Sequence, residues 1–247
     1  MEYVGIFVLG WVSAWIVNYL ADVLPVHLRL TKPLCVHCLE TFSWQNYLLL
    51  RPCPKCGKRR TWRAWVVQIA SPLIALYLFV FPPFRLGFWI GFGLLAFFAL
   101  VAIIDLEYRI ILRVVYILNI IAGFAIGWMI RGPLYTLLGG LAGLAIMLGL
   151  YFLGILFTRV MARRRGAEID EVALGFGDVY LMAGLGLMMG WPEAVGGVLL
   201  AIILGGLASG LIILGTWLAR KYQPLRAIPY APFLLLATVI MVYVPKQ

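Results

Sequence analysis

Eight runs of apolar residues, each close to the twenty or so positions a helix needs to cross about 30 Å of hydrocarbon, take up most of this chain. They cover 4–24, 64–81, 87–104, 114–130, 134–157, 174–190, 194–218 and 228–244. Lipid offers no partners to backbone N–H and C=O groups, so segments of this kind fold as helices that satisfy their own hydrogen bonds. An all-α polytopic membrane protein with about eight transmembrane helices is the expected fold class. Composition agrees, since 64% of the residues are apolar and only 12% charged, with a mean hydropathy of +1.01, outside the range of soluble domains. The first run has no basic segment before it, carries Asn18 and Asp22, and leads straight into a cysteine-containing loop. It reads as a retained helix rather than a cleaved signal peptide.

A formal charge of +10 raises the question of nucleic acid, but the basic residues sit in short loops between apolar runs. The lipid bilayer accounts for them, and no nucleic-acid partner is expected. With the N-terminus outside, the loops facing the cytoplasm carry eight (25–63), two (105–113), four (158–173) and three (219–227) Lys or Arg, leaving Arg85, Arg131 and Lys246 for the other face. Such an asymmetry orients the chain with both termini outside. Glycines within the runs, among them Gly139-Gly140, Gly143, Gly196-Gly197 and Gly205-Gly206, mark close helix contacts.

All four cysteines fall in one polar excursion, as Cys35-Val36-His37-Cys38 and Cys53-Pro54-Lys55-Cys56, with fourteen residues between the pairs. Two CxxC knuckles so spaced bring four thiolates to the corners of a tetrahedron, the closed structural arrangement zinc prefers. The loop faces the reducing cytoplasm, where paired disulfides are unusual. His37 is read as a solvated knuckle side chain rather than a ligand. The division expected is therefore a first transmembrane helix (1–24), a small cytoplasmic zinc-binding loop with four cysteine ligands (25–63) and a seven-helix core (64–247). A loop of this size has little core of its own, so structural Zn2+ would supply much of its folding free energy.

Of the ten acids, Asp105 and Asp178 need an explanation beyond hydration. Asp105 closes the apolar run Ala99–Ile104, and Asp178 stands in Gly175-Phe176-Gly177-Asp178 where another run begins. Carboxylates at that depth are costly unless they face a wet cavity or a partner. The run holding Asp105 goes outward-to-inward and the one opened by Asp178 goes back, so both acids are expected at the cytoplasmic boundary. Two carboxyls held close split into an acid and a base, the combination that activates water against a peptide carbonyl. Gly175 and Gly177 would let an extended substrate backbone lie beside Asp178. Glu168, Asp170 and Glu171 precede it and either attract a basic peptide or form a solvated charge run.

Taken in order, the features are Asn18 seven positions before Pro25, the paired CxxC loop with Tyr47-Leu48-Leu49-Leu50-Arg51 ahead of its second knuckle, and Ile104-Asp105-Leu106-Glu107. Then come Gly175-Phe176-Gly177-Asp178 with Leu181 and Ala183-Gly184-Leu185-Gly186, and finally Ile228-Pro229-Tyr230-Ala231-Pro232-Phe233. This series resembles the type IV prepilin peptidases, the GxGD class of aspartyl leader peptidases. The resemblance implies an eight-helix enzyme of the bacterial plasma (inner) membrane, with Asp105 and Asp178 catalytic. Its substrates would be prepilins or pseudopilins, cleaved between a basic leader and a hydrophobic helix on the cytoplasmic face. Many members then methylate the new N-terminus with S-adenosylmethionine, and the cysteine loop is typical of those bifunctional forms. The chain departs from the family where Leu112-Arg113 replace a Pro-Asp or Pro-Asn pair, where Tyr180 replaces Lys, and where Gln68 replaces a glutamate. Two other classes stay open: a zinc-bearing membrane assembly factor that has lost its chemistry, and an ion or proton pathway, the latter disfavoured by ionisable residues being scarce in mid-run.

Overall fold

The computed structural model describes residues 1–41, 43–165, 175–218 and 229–244. The acids Glu168, Asp170 and Glu171, the basic residues of 219–227, Ile228 and Lys246 lie outside the described residues.

Among the described residues the chain is helical, with no strand beyond one isolated bridge between Leu34 and Thr41. The helices are α1 (Glu2–His27), α2 (Trp44–Leu48), α3 (Trp62–Val80), α4 (Gly87–Tyr108), α5 (Arg113–Arg131), α6 (Pro133–Arg165), α7 (Phe176–Met189), α8 (Glu193–Leu218) and α9 (Ala231–Tyr243). Six of them, α1, α3, α4, α5, α6 and α8, are long and apolar enough to cross a membrane. The sixth and eighth expected crossings appear as the shorter apolar helices α7 and α9. Their outward side chains show what surrounds the helices. On α1 the exposed positions include Val4, Phe7, Val8, Val12 and Ile16, as apolar as the buried ones. A helix apolar all round and exposed on one side is built for lipid. Helix ends differ from the apolar runs in one instructive place. α4 continues a turn past Ile104 to Tyr108, so Asp105 lies inside its last turn rather than at its end.

The chain divides into two compact units, Met1–Tyr108 and Arg109–Val244. In the first, α1 packs against α3 and α4. A Cβ on Gly10 would collide with the Pro72 backbone, so only glycine permits this crossing. Polar side chains stitch it: Asn18 donates to the Ala64 carbonyl at 3.2 Å, Gln68 to the Trp11 carbonyl at 3.1 Å and Ser71 to the Gly10 carbonyl at 2.9 Å. Inside a bilayer these bonds have no competing water. The Gln68 contact also explains one departure from the family pattern. Facing a carbonyl oxygen, an amide donates at any pH, whereas a glutamate there would donate only when protonated.

In the second unit α7 is the centre, flanked by α5 and α6 with α8 and α9 against it. Its Leu181, Met182, Leu185, Met188 and Met189 are almost wholly enclosed. Small residues make this possible, because a Cβ on Gly123 of α5 would collide with the Gly184 carbonyl oxygen, and one on Gly139 of α6 would lie 2.5 Å from that of Gly186. Asn119 of α5 donates to the Leu181 carbonyl at 2.8 Å. Gly123→Ala is therefore expected to destabilise the protein by about 1–3 kcal/mol, the usual cost of overpacking, read as a lower unfolding temperature in detergent. Gly206→Ala is the control, since a Cβ there meets nothing within 4 Å, and it should leave that temperature unchanged or slightly higher.

Candidate functional site

The cysteine loop folds as two copies of one turn. In the first, the Cys35 N–H donates to the Glu40 carbonyl at 2.9 Å and the Leu39 N–H to the Cys35 carbonyl at 2.8 Å; in the second, Cys53 donates to Lys58 at 3.0 Å and Gly57 to Cys53 at 2.8 Å. The residue after each second cysteine is left-handed, Gly57 at φ 68° and Leu39 at φ 56°. Glycine takes that conformation without strain and leucine does not. Together the turns gather all four sulfurs within 4.8 Å of one another. Cys35 and Cys56 stand 3.7 Å apart, as do Cys38 and Cys53.

Those separations decide between three chemistries. A disulfide needs about 2.05 Å, so the thiols are free. Four ligands at roughly 2.3 Å from a tetrahedral zinc ion stand about 3.8 Å from each other, which the 3.7 Å separations match. The residues fit a metal. Electrostatics point the same way, because the thiols do not ionise equally on their own. Burial pushes Cys35 up to about 12, while the Cys56 backbone N–H, against opposing burial, draws Cys53 down to about 7. A divalent cation removes that conflict. Lys55 and Glu40, paired at 2.6 Å, join the knuckles on the surface.

Asp105 and Asp178, singled out from the sequence, belong to the first and second units respectively. Asp105 is 5% exposed, in the last turn of α4 beside the enclosed Ile104. Asp178 is 8% exposed and occupies the third position of α7, where its N–H donates to the Gly175 carbonyl at 3.1 Å. The two flanking glycines turn out unlike each other. A Cβ on Gly177 would stand 3.0 Å from the Cβ of Ile111, so a side chain of this chain already fills the space glycine leaves there. At Gly175 the nearest atom is the Asp178 Oδ2, at 3.5 Å. Of the two, Gly175 is the one whose bare face adjoins the carboxylate.

Phe176 and Tyr180, each two residues from Asp178 and therefore on nearly the opposite face of α7, join aromatic rings that sequence reading did not assemble. Tyr180 stacks on Tyr116 with centroids 4.8 Å apart, and Phe176 meets both Tyr180 and Tyr151 edge-on at 5.1 Å. Tyr180, where the resemblance led to lysine being expected, thus belongs to an aromatic row across α5, α6 and α7. Tyr230, the residue before α9, has its hydroxyl enclosed without a hydrogen-bond partner among the described residues.

A second cluster was also missed. Asp22 of α1 accepts from the Tyr47 hydroxyl at 2.6 Å, from Arg60 at 3.0 Å and from Arg63, and Arg63 reaches on to Glu107 at 2.8 Å. Burial and the neighbouring Asp22 carboxylate together push the Tyr47 hydroxyl well above the usual phenol range. The one sequence signal was an aspartate near the end of an apolar run, the same signal that singled out Asp105.

Comparison with known proteins bears on these sites. Residues 92–210, a segment containing both Asp105 and Asp178, match the model of the type IV leader peptidase family. A prepilin leader peptidase/N-methyltransferase of Aeromonas hydrophila is 26% identical over 233 residues, covering 86% of this chain and 71% of that protein. One of the same name from Burkholderia pseudomallei (strain 1026b) is 29% identical over 227 residues, covering 86% of this chain and 68% of its own. No solved structure matches the chain.

Proposed function

We propose that the chain, similar over residues 92–210 to the type IV leader peptidase family and over most of its length to prepilin leader peptidases, is a membrane aspartyl endopeptidase removing the basic leader of type IV prepilins or pseudopilins at the cytoplasmic boundary of the inner membrane. The observation that carries the reading is a pair of enclosed aspartates, each in a terminal turn of an apolar helix, both inside the segment that matches the family. The basic loops argue for N- and C-termini outside, which puts the cysteine loop and both acids on the cytoplasmic side.

We assign the base to Asp178, at the N-terminal end of α7, and the acid to Asp105, at the C-terminal end of α4. In this assignment ionised Asp178 takes a proton from water as its oxygen adds to the scissile carbonyl, and protonated Asp105 donates to the carbonyl oxygen. The resulting diol returns one proton to Asp105 as the C–N bond breaks, and Asp178 passes its proton to the leaving amine. The dyad ends as it began, singly protonated. Gly175 would leave room for an extended substrate backbone beside Asp178, and Gly177 chiefly for Ile111.

Cys35, Cys38, Cys53 and Cys56 would hold Zn2+ in a closed ligand set, which would shape the loop without entering the chemistry. The working division is a first helix (1–24), the metal-binding loop (25–63) and the peptidase core (64–247). The relatives' names also carry an N-methyltransferase activity; methylation of the new amino terminus with S-adenosylmethionine is the second step proposed for this chain, and one experiment reads both. The chain is co-expressed with a basic-leader substrate whose N-terminus is then weighed by mass spectrometry, since clipping and methylation change the mass by different amounts. Leader removal is the expected result. An uncleaved substrate beside fully inserted protein would favour the assembly-factor reading instead.

A further inference from the structure

Asp22 is a buried acid that the proposed chemistry does not use. Its side chain is fully enclosed, and it gathers donors from Tyr47 of α2, from Arg60 just before α3 and from Arg63 within α3. Two guanidiniums around one carboxylate leave an excess positive charge, which Glu107 of α4 balances through Arg63 at 2.8 Å. The four charged groups make a neutral cluster. On its other side, the Tyr47 ring packs against Cys35 and Cys53 and carries the Arg60 guanidinium 3.9 Å above its centroid. An unbroken line of contacts therefore runs from the cysteine cluster through Tyr47, Asp22 and Arg63 to the last turn of α4.

Its end point gives the line a use. Glu107 is two residues beyond Asp105, which puts them on nearly opposite sides of the helix, with Asp105 enclosed and Glu107 outward. α4 stops one residue later, and Arg109 is left-handed at φ 55°, so the last turn has no helix beyond it to hold its rotation. Any twist of that turn moves the Asp105 carboxyl sideways. Arg63 opposes the twist, because one of its nitrogens is fixed on buried Asp22 while another holds Glu107. A guanidinium is a planar fork suited to bridging two carboxylates, and lysine, a single point, is not. Ion clusters of this kind do little for stability compared with well-packed apolar side chains, which makes geometry the better account of its presence.

We propose that Arg63 and Glu107, anchored on Asp22 and Tyr47, are positioning residues that fix the last turn of α4 and so aim Asp105. The inference rests on the peptidase reading above. Its test is steady-state cleavage of a basic-leader substrate by the full chain in detergent, with the unfolding temperature and metal content measured on the same samples. Since Asp22→Asn leaves two guanidiniums short of a partner and is liable not to fold, Glu107→Gln and Arg63→Lys carry the test. Each is expected to keep the parental unfolding temperature and metal content while kcat drops at least tenfold, toward the ~100-fold that about an ångström of misplacement costs, with KM within about twofold. The double variant should lose no more than the worse single one, as for residues that act as a unit. A parental kcat in Glu107→Gln, or a lowered unfolding temperature with kcat per folded molecule unchanged, would overturn the positioning role. Asp105→Asn run alongside separates the two levels: if it is inactive the peptidase reading survives that failure, and if it cleaves at the parental rate both fall.

Discussion

Asp105→Asn and Asp178→Asn are each expected to reduce leader cleavage by about 10³-fold or more, while the protein inserts, purifies and unfolds like the parent. Loss of a general acid or base alone costs on the order of 10²–10⁴, and in the proposed dyad either change would remove the shared proton on which the other carboxyl depends. The double variant should therefore be no worse than either single one. Asparagine matches aspartate in shape and still hydrogen-bonds, so the enclosed sites on α4 and α7 lose a titratable carboxyl without gaining a cavity. At most the first turn of α7 gives up the 0.3–1 kcal/mol, roughly, that an acid contributes at a helix N-terminus. Single-turnover cleavage in detergent, with the unfolding temperature recorded on the same samples, separates lost chemistry from lost fold. Either variant turning over at the parental rate would end the dyad assignment.

How much of this was legible beforehand follows from the range of the physics involved. Apolar runs and the two CxxC knuckles are local signals, and both survive: the crossings reappear as helices, and the four sulfurs converge. Helix ends are less local. Asp105 looked like the close of a run because Leu106-Glu107-Tyr108 mixes polar with apolar residues, yet the last turn continues because Glu107 finds Arg63. The cluster on Asp22 was illegible for the same reason, since its partners lie 25, 38 and 41 positions away and no periodicity links such separations. The two glycines before Asp178 taught a further lesson. Both looked like room for a substrate, but only packing could show that Ile111 stands against Gly177. Gln68, a departure without a motive in the sequence, acquires one from the Trp11 carbonyl it faces.

Removing the metal is expected to collapse the loop and leave the helices standing. Among the described residues the loop's enclosed core is little more than Pro33, Leu34, Cys35, Tyr47 and Cys53, whereas a structural zinc ion brings an apparent binding free energy on the order of 10–16 kcal/mol near neutral pH, most of which is folding free energy. Metal analysis of the parent should find one zinc per chain. Chelation, or Cys53→Ser, should release it, expose Tyr47 to solvent, and open 25–63 to proteases, while helical circular dichroism changes little. Cleavage should persist at a reduced rate, because a closed four-thiolate site supplies no water to the reaction but does hold Tyr47, on which Asp22 and Arg63 lean. A preparation with no zinc, or a Cys53→Ser loop as protease-resistant as the parent, would show that 3.7 Å between the sulfurs reflects packing alone. Complete loss of cleavage with an intact helical signal would instead overturn the purely supporting role given to the ion.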